Sequence, residues 1–183
     1  METHNLILRD FSIDDLGGYI TFTQDEKYQR FYDEVDCSAE KSKQLVDAFI
    51  DQSLECPRTK YQLAITKKNQ QGIIGTCGLR LEPNGHASIG CGIARGYHSS
   101  GAAVEAMSAL INFGFQELGV HRVYAQTIEA NKAAVKLCQK MAMRVEDRFI
   151  KHRYFKDQWW NTLIFALLKS EWSDKQKNRE THV

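Results

Sequence analysis

Hydrophobic residues in this chain follow helical spacing in some segments and strand alternation in others. In residues 16–23 and again in residues 45–50, apolar side chains recur at intervals of three and four, which predicts two amphipathic helices. Ser12 and Ser38 precede these segments and are expected to act as their N-caps. Pro57 is expected to end the second helix, and a short polar helix is expected between the two.

The middle of the chain changes to the alternation that is typical of strands. Tyr61, Leu63 and Ile65 alternate with polar neighbours, and two further strands are predicted over residues 72–81 and 86–94. Short turns rich in Asn and Gly separate the three strands. Because tight turns join antiparallel neighbours, the segment predicts an antiparallel meander.

The last half of the chain alternates between helices and strands. Gly119 ends the first of these helices, as glycines at helix C-termini do, and Asn131 begins the second. The whole order predicts a mixed α/β (α+β) sheet, mostly antiparallel and of about seven strands, flanked by helices. The elements predicted outside the meander are helices over residues 101–118 and 131–140 and strands over residues 6–9, 120–127, 144–154 and 159–168.

Chain length and net charge limit the number of domains and the classes of partner that are expected. The chain has 183 residues with two prolines, and it contains no linker rich in Gly and Ser. We therefore expect one domain over residues 1–172, followed by a polar tail over residues 173–183. Lys and Arg number 24 and Asp and Glu 23, a net charge of +1. This balance gives no reason to expect nucleic acid or an anionic membrane as a partner.

The five cysteines are widely spaced and form no CxxC pair. They predict neither a disulfide framework nor a zinc ribbon, and no metal site is expected. The longest apolar run, residues 163–168, is far shorter than the ~20 residues of a membrane span. Residues 1–5 lead into a strand-like run and not into the apolar segment of a signal peptide. These features predict a soluble, cytoplasmic protein.

The segment GYHSSGAAVEA, residues 96–106, joins the fourth strand to the long helix. A strand that enters a helix through small residues leaves several backbone N–H groups around one point, where the helix dipole favours negative charge. The segment is therefore expected either to hold a phosphate or to be a tight packing turn. A P-loop is excluded, because Ala102 and Ala103 follow Gly101 where Lys and Ser or Thr are required. The glycines of the fourth strand fall short of a dinucleotide motif.

Over residues 6–172 the succession of motifs resembles the GNAT superfamily of acetyl-CoA-dependent N-acetyltransferases. The order and spacing are similar to the RimJ/RimL branch, which contains ribosomal-protein N-terminal acetyltransferases. The resemblance implies the GNAT fold, an acetyltransferase activity and acetyl-CoA as cosubstrate. The motifs that carry it are LILRDFSIDD, ASIGCGIAR, GYHSSGAAVEAM, HRVYAQTIEAN, NKAAVKLCQKMAM and WWNTLIFALLKSEW.

The resemblance also implies where the cosubstrate binds. The end of the fourth strand, Ile93, Ala94 and Arg95, matches the segment that pairs with the pantetheine arm. Asn131 matches a family asparagine that contacts the cofactor. Backbone N–H groups of the turn are implied to hold the pyrophosphate, and the matching residues are Ser99, Ser100, Gly101, Ala102 and Ala103.

The chain departs from the family pattern in this turn and after the last helix. Ser99 and Ser100 occupy positions where the family has a glycine and a basic residue. Serine tolerates a positive φ less well than glycine, and a charge partner for the phosphates is lost, so somewhat weaker binding is expected. Ala142 also stands where the family has a glycine.

The acid that protonates the departing CoA thiolate is the least defined part of the site. The two family positions for this acid hold Ala134 and Cys138. A thiol has an ordinary pKa of ~8.5, so Cys138 is a candidate acid, and a core cysteine is the alternative. Glu105 is expected to be structural, and Ser88 replaces a family glutamate. The side chains left as candidate general bases are His86, Glu129, His152 and Tyr154.

The predicted reaction is transfer of acetyl to a primary amine by direct attack in a ternary complex. A backbone N–H of the fourth strand is expected to polarise the thioester. Because no clear base is present, an α-amine, with a pKa of ~7.7–8.0, is favoured over lysine. It would be the N-terminus of a ribosomal or other protein, or a small-molecule amine. The alternative is a non-catalytic acyl-CoA-binding or sensing module, and monomer and homodimer both stay open.

Overall fold

The computed structural model describes residues 1–173, in which one seven-stranded sheet has the order β1-β2-β3-β4-β5-β7-β6. All neighbouring strands are antiparallel except β4 and β5, which are parallel. The prediction of a mixed, mostly antiparallel sheet is therefore confirmed. The strands are β1 (Leu6–Asp10), β2 (Lys60–Lys67), β3 (Ile73–Glu82), β4 (His86–Ile93), β5 (Arg122–Ile128), β6 (Arg144–Phe155) and β7 (Gln158–Leu168).

Helices lie on both faces of this sheet. The bounds are α1 (Leu16–Thr23), α2 (Glu26–Gln29), α3 (Ala39–Ser53), α4 (Ala102–Gln116) and α5 (Lys132–Lys140). On one face α4 and α5 pack on the larger hydrophobic cluster, which includes Leu79, Leu110 and Phe115. On the other face α1 and α3 cover a smaller cluster around Val46 and Phe49. Because helices cover both faces of the sheet, a functional site is expected at a sheet edge, at a gap between strands or in a loop.

The helix signals in the sequence correspond to observed caps. The Ser38 hydroxyl accepts from the Lys41 N–H at 3.0 Å at the start of α3. Ser12 forms a capping box with Asp15 on the 3₁₀ turn Ile13–Asp15, which leads into α1, and Asp15 is the N-cap of α1 itself. Gly119 has a φ of +68°, which fits its place after α4. The prediction for Pro57 is wrong, because α3 already ends at Ser53.

The predicted alternation of apolar and polar residues along β2 is also wrong. Leu63, Ala64 and Ile65 are all buried in sequence, because this inner strand has helices on both faces. Such strands are continuous apolar runs and do not alternate. The polar helix expected between α1 and α3 divides into α2 and a 3₁₀ turn, Glu34–Cys37.

Ala142 closes α5 with a backbone conformation that suits glycine. Its φ is +62°, and the Met143 N–H donates to the Cys138 carbonyl at 3.0 Å, as in a Schellman motif. Replacing Ala142 with Gly is expected to raise the free energy of unfolding by about 1 kcal/mol, because the left-handed conformation is strained for alanine. Thermal unfolding should shift upward by about 2–4 °C.

A helix-interior glycine gives the control with opposite sign. Ala133 is exposed within α5, so Ala133→Gly should lower stability by a similar amount. An unchanged or lower midpoint for Ala142→Gly would contradict the assignment of strain.

The end of the chain and its hydropathy add two observations. The predicted tail over residues 173–183 lies outside the described residues apart from Ser173. Among the helices of the described part, none has the length and apolar character needed to cross a membrane.

Candidate active site

The parallel strands β4 and β5 diverge soon after they meet. They pair only from His86 to Ser88 of β4, which lie opposite Arg122 to Tyr124 of β5. β4 then continues to Ile93 and β5 to Ile128 without further pairing between them. A wedge-shaped gap therefore opens in the middle of the sheet, between two strands that each keep an unpaired inner edge.

Backbone groups of three β4 residues face this gap. The Ala94 N–H donates to the Ile74 carbonyl at 2.8 Å on the β3 side. Hydrogen bonding alternates along an antiparallel ladder, and the β3–β4 register is regular. Alternate residues on β4, counted from Ala94, therefore bond to β3. The N–H and C=O groups that point the other way, towards β5, belong to Ile89, Cys91 and Ile93. The Ile89 N–H completes the pairing of Ser88 with Tyr124, so the groups left in the gap begin at the Ile89 carbonyl.

The turn after β4 presents backbone N–H groups at the end of the gap. The N–H groups of Ser99, Gly101, Ala103 and Val104 have no acceptor within residues 1–173. Ser99 and Gly101 have φ values of +70° and +85°. Gly101 is the N-cap of the 15-residue helix α4, whose dipole adds positive potential at the same point. The turn is thus a donor-rich site suited to an anion.

Two side chains of this region, His98 and Ser100, already have hydrogen-bond partners within the chain. The His98 Nε2 donates to the Ile93 carbonyl at 2.9 Å. The Ser100 hydroxyl donates to the Tyr97 carbonyl at 2.7 Å and accepts from the Ala102 N–H at 3.3 Å. Of the five turn residues predicted to hold a pyrophosphate, three therefore keep a free N–H, while those of Ser100 and Ala102 are occupied.

Basic side chains lie beside the turn. Tyr97 accepts from the Gln70 side chain at 2.6 Å, and its ring lies 5.1 Å from the Lys67 ammonium. A cavity of ≈ 570 Å³ adjoins the turn on the β1 side, and its lining includes His4, Lys67 and Lys68. Lys67 and Lys68 bring positive charge close to a turn that has no Lys or Arg among residues 98–101.

Glu105 is structural, as expected. Its carboxylate accepts from the Asn5 N–H at 2.7 Å and from the Thr3 hydroxyl at 2.5 Å. Burial opposes the charge, but these hydrogen bonds outweigh it and hold the pKa of Glu105 below its ordinary value. The carboxylate thus ties the N-terminal segment to the first turn of α4.

A second cavity, of ≈ 340 Å³, lies on the face of the sheet opposite α4. Three glycines form its floor: Gly78 on β3 and Gly90 and Gly92 on β4. A Cβ built on Gly90 would meet nothing within 4 Å, whereas one on Gly92 would lie 3.0 Å from the Tyr28 ring. The open part of the floor is therefore at Gly90, directly beside the gap in the sheet, whereas Gln62 lies over Gly78 and Tyr28 over Gly92.

Aromatic side chains from the helical face wall this cavity. Tyr28 and Tyr32 stack with ring centroids 5.0 Å apart, and Tyr19 and Phe49 are also in the lining. Burial raises the pKa values of Tyr19 and Tyr28, so both phenols stay neutral. The β6–β7 hairpin supports the α2 end, where Lys156 donates to the Gln29 carbonyl at 2.7 Å.

Asn131 and Cys138 have structural partners in α5. Asn131 is the N-cap, and its side-chain oxygen accepts from the Ala134 N–H at 3.2 Å. Cys138 is 7 % exposed and belongs to the larger core cluster. Burial raises the pKa of its thiol to about 11. The thiol is therefore neutral near pH 7, and it holds its proton more tightly than an ordinary thiol does.

The candidate bases lie elsewhere. Glu129 pairs with Arg148 at 2.7 Å, and hydrogen bonds from Arg148 and Asn161 lower its pKa to about 2, which makes it a poor base. His152 contacts the Thr162 hydroxyl at 3.2 Å, and Tyr154 lies 55 % exposed on the edge strand. Neither these residues nor His86 are in the lining of the glycine-floored cavity. Within residues 1–173, no cluster of three or more His, Cys, Asp or Glu gathers as a metal site.

Sequence reasoning missed two features of the site. The free edge of β4 is formed by Ile89 and Cys91 together with Ile93, and the lining of the glycine-floored cavity includes Arg80. The alternation of Gly78, Gly90 and Gly92 on one face of two paired strands was the signal that could have located the cavity. It is visible only once the strand register is known.

Comparison with known proteins gives concordant matches. The family model described as "Acetyltransferase (GNAT) domain" matches residues 5–144. An uncharacterized N-acetyltransferase, p20 of Bacillus licheniformis, is 26% identical over 93% of this chain and 97% of its own length. A GNAT-family acetyltransferase structure from Bacillus anthracis superposes with a TM-score of 0.81 at 21% identity, covering 93% of this chain and 99% of that one. The structure of RimL, a ribosomal-protein α-N-acetyltransferase in complex with coenzyme A, superposes with a TM-score of 0.80 at 16% identity. It covers 92% of this chain and 97% of that one.

Proposed function

The chain belongs to the GNAT acetyltransferase family and is an N-acetyltransferase, and we propose that it acetylates a primary amine of low pKa from acetyl-CoA. The observation that carries this proposal is that two binding features of the backbone are continuous with each other. The unpaired inner edge of β4 leads directly into the donor-rich turn at the N-terminus of α4. The β4 edge is therefore suited to a chain of amides and the turn to a diphosphate, and coenzyme A contains both.

The residues present fit this cosubstrate. The Ile89 carbonyl, both backbone groups of Cys91 and the Ile93 N–H would pair with the pantetheine amides, as an added strand pairs with a sheet edge. The Ile93 carbonyl is already bonded to His98. The N–H groups of Ser99, Gly101 and Ala103 would hold the pyrophosphate, because they have no internal acceptor. Ala94 contributes less than expected, since its N–H is bonded to β3. Arg95 is exposed beside the turn and stays a proposed contact, as does Asn131.

The chemistry follows from what faces the gap. Bound acetyl-CoA would supply an activated acyl group. Its carbonyl carbon bonds to the amine nitrogen, the C–S bond breaks, and the departing thiolate takes up the proton that the amine loses, which gives the free thiol of coenzyme A. The fixed N–H of Cys91 stabilises the developing oxyanion. The glycine-floored cavity opens to the same edge from the opposite face, so it positions the amine for direct attack.

The finer assignment concerns the branch and the acceptor. The resemblance to the RimJ/RimL branch and the fold match to RimL support an α-amine as acceptor, at a protein N-terminus or on a small molecule. The aromatic wall of the cavity, whose described lining contains no carboxylate, supports the same view, because it favours the neutral, nucleophilic form of the amine. The five unpaired cysteines support a reducing compartment such as the cytoplasm.

Cys138 is retained as a proposed proton donor, although its burial favours a packing role. A donor with a pKa of about 11 would give its proton uphill to a thiolate of ordinary pKa. We therefore expect Cys138→Ala to keep kcat within about threefold while lowering stability by about 1 kcal/mol through lost packing. A stopped assay of product formation measures kcat, and thermal unfolding measures stability. A folded variant with a 100-fold lower kcat would instead identify Cys138 as the acid.

The proposed function is tested by binding followed by turnover. Calorimetry should show uptake of coenzyme A by the purified chain, and mass spectrometry should then show acetyl transfer from acetyl-CoA to members of a panel of α-amines, peptides and lysine derivatives. Binding without transfer to any member would favour the acyl-CoA-sensing alternative. No uptake of coenzyme A, or transfer to lysine side chains alone, would contradict the proposal.

A further inference from the structure

An arginine that has no partner within residues 1–173 lies at the glycine-floored cavity. Arg80 lies on β3 directly opposite Ser88 of β4, and it lines the cavity. It shares the cavity-facing side of the strand with Gly78, because side chains two residues apart point the same way. Its side chain is exposed, and within residues 1–173 it makes no hydrogen bond or ion pair.

No negative charge in the cavity balances this guanidinium. The described lining contains no Asp or Glu, and its tyrosines are neutral. Glu82, two residues further along β3, accepts the Tyr124 hydroxyl at 2.8 Å and is outside the lining. Lys60 lies opposite Arg80 on β2 and adds further positive charge at the mouth, partly balanced by Glu55 at 3.7 Å.

This charge pattern selects among amine acceptors. A polyamine carries several positive charges and would need carboxylates in the wall, which the cavity lacks. A carboxylate finds a planar, bidentate partner in a free arginine. The aromatic walls and the bare floor suit an apolar or aromatic body of modest size, and ≈ 340 Å³ is within the usual range for a small-molecule site.

We propose that the cavity takes an α-amino acid with an aromatic or apolar side chain, and that Arg80 pairs with its carboxylate. This inference rests on the proposed function, since it names the class of acceptor for the same site. Arg80 then acts in substrate recognition, and it distinguishes a free amino acid from a protein N-terminus, where the carboxylate is replaced by a peptide group.

The same arginine favours the reactive form of the acceptor. A positive charge close to an ammonium disfavours the charged form of that ammonium. In a free amino acid the α-carboxylate favours the ammonium form, and Arg80 offsets this effect by pairing with that carboxylate. The bound amine therefore loses its proton more readily than it does in water. This effect accounts for a site in which no side chain of the cavity is an evident general base.

Pairs of acceptors that differ only in the carboxylate test the proposal. The pairs are tyrosine and tyramine, phenylalanine and phenethylamine, and leucine and isoamylamine, with spermidine as the cationic extreme. Release of the coenzyme A thiol gives kcat/KM for each. We expect each amino acid to exceed its decarboxylated partner by at least 10-fold, which is the lower range for a charge-assisted hydrogen bond, and spermidine to be the poorest acceptor.

Variants of Arg80 identify the source of that preference. Arg80→Met should lower kcat/KM for the amino acids by about 10- to 100-fold and leave the decarboxylated amines within about twofold. Arg80→Lys should restore part of the loss, since it returns the charge without the bidentate geometry. Arg153 is exposed on the edge strand β6, so Arg153→Met is the matched control and should change neither series. A preference that is absent, or that persists in Arg80→Met, overturns the proposal.

The failure of this inference and that of the proposed function give different results. Uptake of coenzyme A with transfer to amines regardless of a carboxylate leaves the function standing and removes Arg80 as the recognition residue. If coenzyme A is not taken up, calorimetry with tyrosine and the unliganded protein decides the matter. Tyrosine binding that Arg80→Met abolishes would still support the site, and no binding would overturn it.

Discussion

Replacing Ser99 with aspartate is expected to weaken coenzyme A binding about 100-fold and leave the fold intact. The free N–H groups of the turn converge where the diphosphate is proposed to lie, so a carboxylate there would repel it at short range. Two charges about 4 Å apart near a protein surface interact by up to about 4 kcal/mol, and part of that is lost to screening. A loss of about 2.7 kcal/mol corresponds to the 100-fold change.

The geometry of Ser99 makes this substitution selective for binding. Its φ of +70° is tolerated by Asp and Asn better than by other side chains, and a carboxylate near the N-terminus of α4 is favourable for the helix. Thermal stability should therefore stay equal or rise. Ser99→Asn is the matched control, since it has nearly the same shape without the charge, and it should keep affinity within about threefold.

Calorimetry at two salt concentrations measures the effect, which should shrink as salt rises. Ser99→Gly extends the series, because relief of the positive φ should tighten binding slightly. Equal affinities of the Asp and Asn variants would show that the diphosphate does not lie at this turn, and the proposed function would then lose its main support.

How much of this site follows from the sequence depends on the range of the interactions. Ser12, Ser38 and Gly119 act within one helical turn, so local pattern was sufficient to predict their roles. The turn around Gly101 was equally local, because a strand followed by small residues and a helix specifies where free N–H groups gather. Ser99 and Ala142 were singled out only by the resemblance, which implies glycine at both positions, and both residues have positive φ.

The remaining features are products of strand register, which a single sequence does not reveal. The divergence of β4 from β5 after Ser88 decides which backbone groups are free, and it moves the proposed pairing edge towards Ile89 and Cys91. Likewise, Arg80 reaches the cavity only because β3 and β4 align it with Ser88. The hydrogen bond from His98 to Ile93 depends on the exact path of the turn, and no spacing in the sequence indicates it.

Gly90→Val is expected to lower kcat/KM for the amine by at least about 100-fold while coenzyme A still binds within about threefold. The Gly90 N–H and C=O bond to β3, so the edge that faces the gap is not altered by the substitution. An added Cβ meets nothing within 4 Å, and valine suits a strand, so the fold should be retained. Its methyl groups would instead stand on the cavity floor, in the volume that the amine needs.

Neighbouring substitutions separate loss of space from loss of structure. Gly90→Ala adds one methyl group and should give an intermediate decrease, since exclusion grows with the volume added. Gly92→Val is a poorer probe, because its Cβ would lie 3.0 Å from the Tyr28 ring and would displace the wall itself. Steady-state kinetics with calorimetry of coenzyme A would resolve the two ligands. If Gly90→Val acetylated amines at the normal rate, the acceptor would have to approach the β4 edge from the α4 face, and the roles given to the aromatic wall and to Arg80 would both fail.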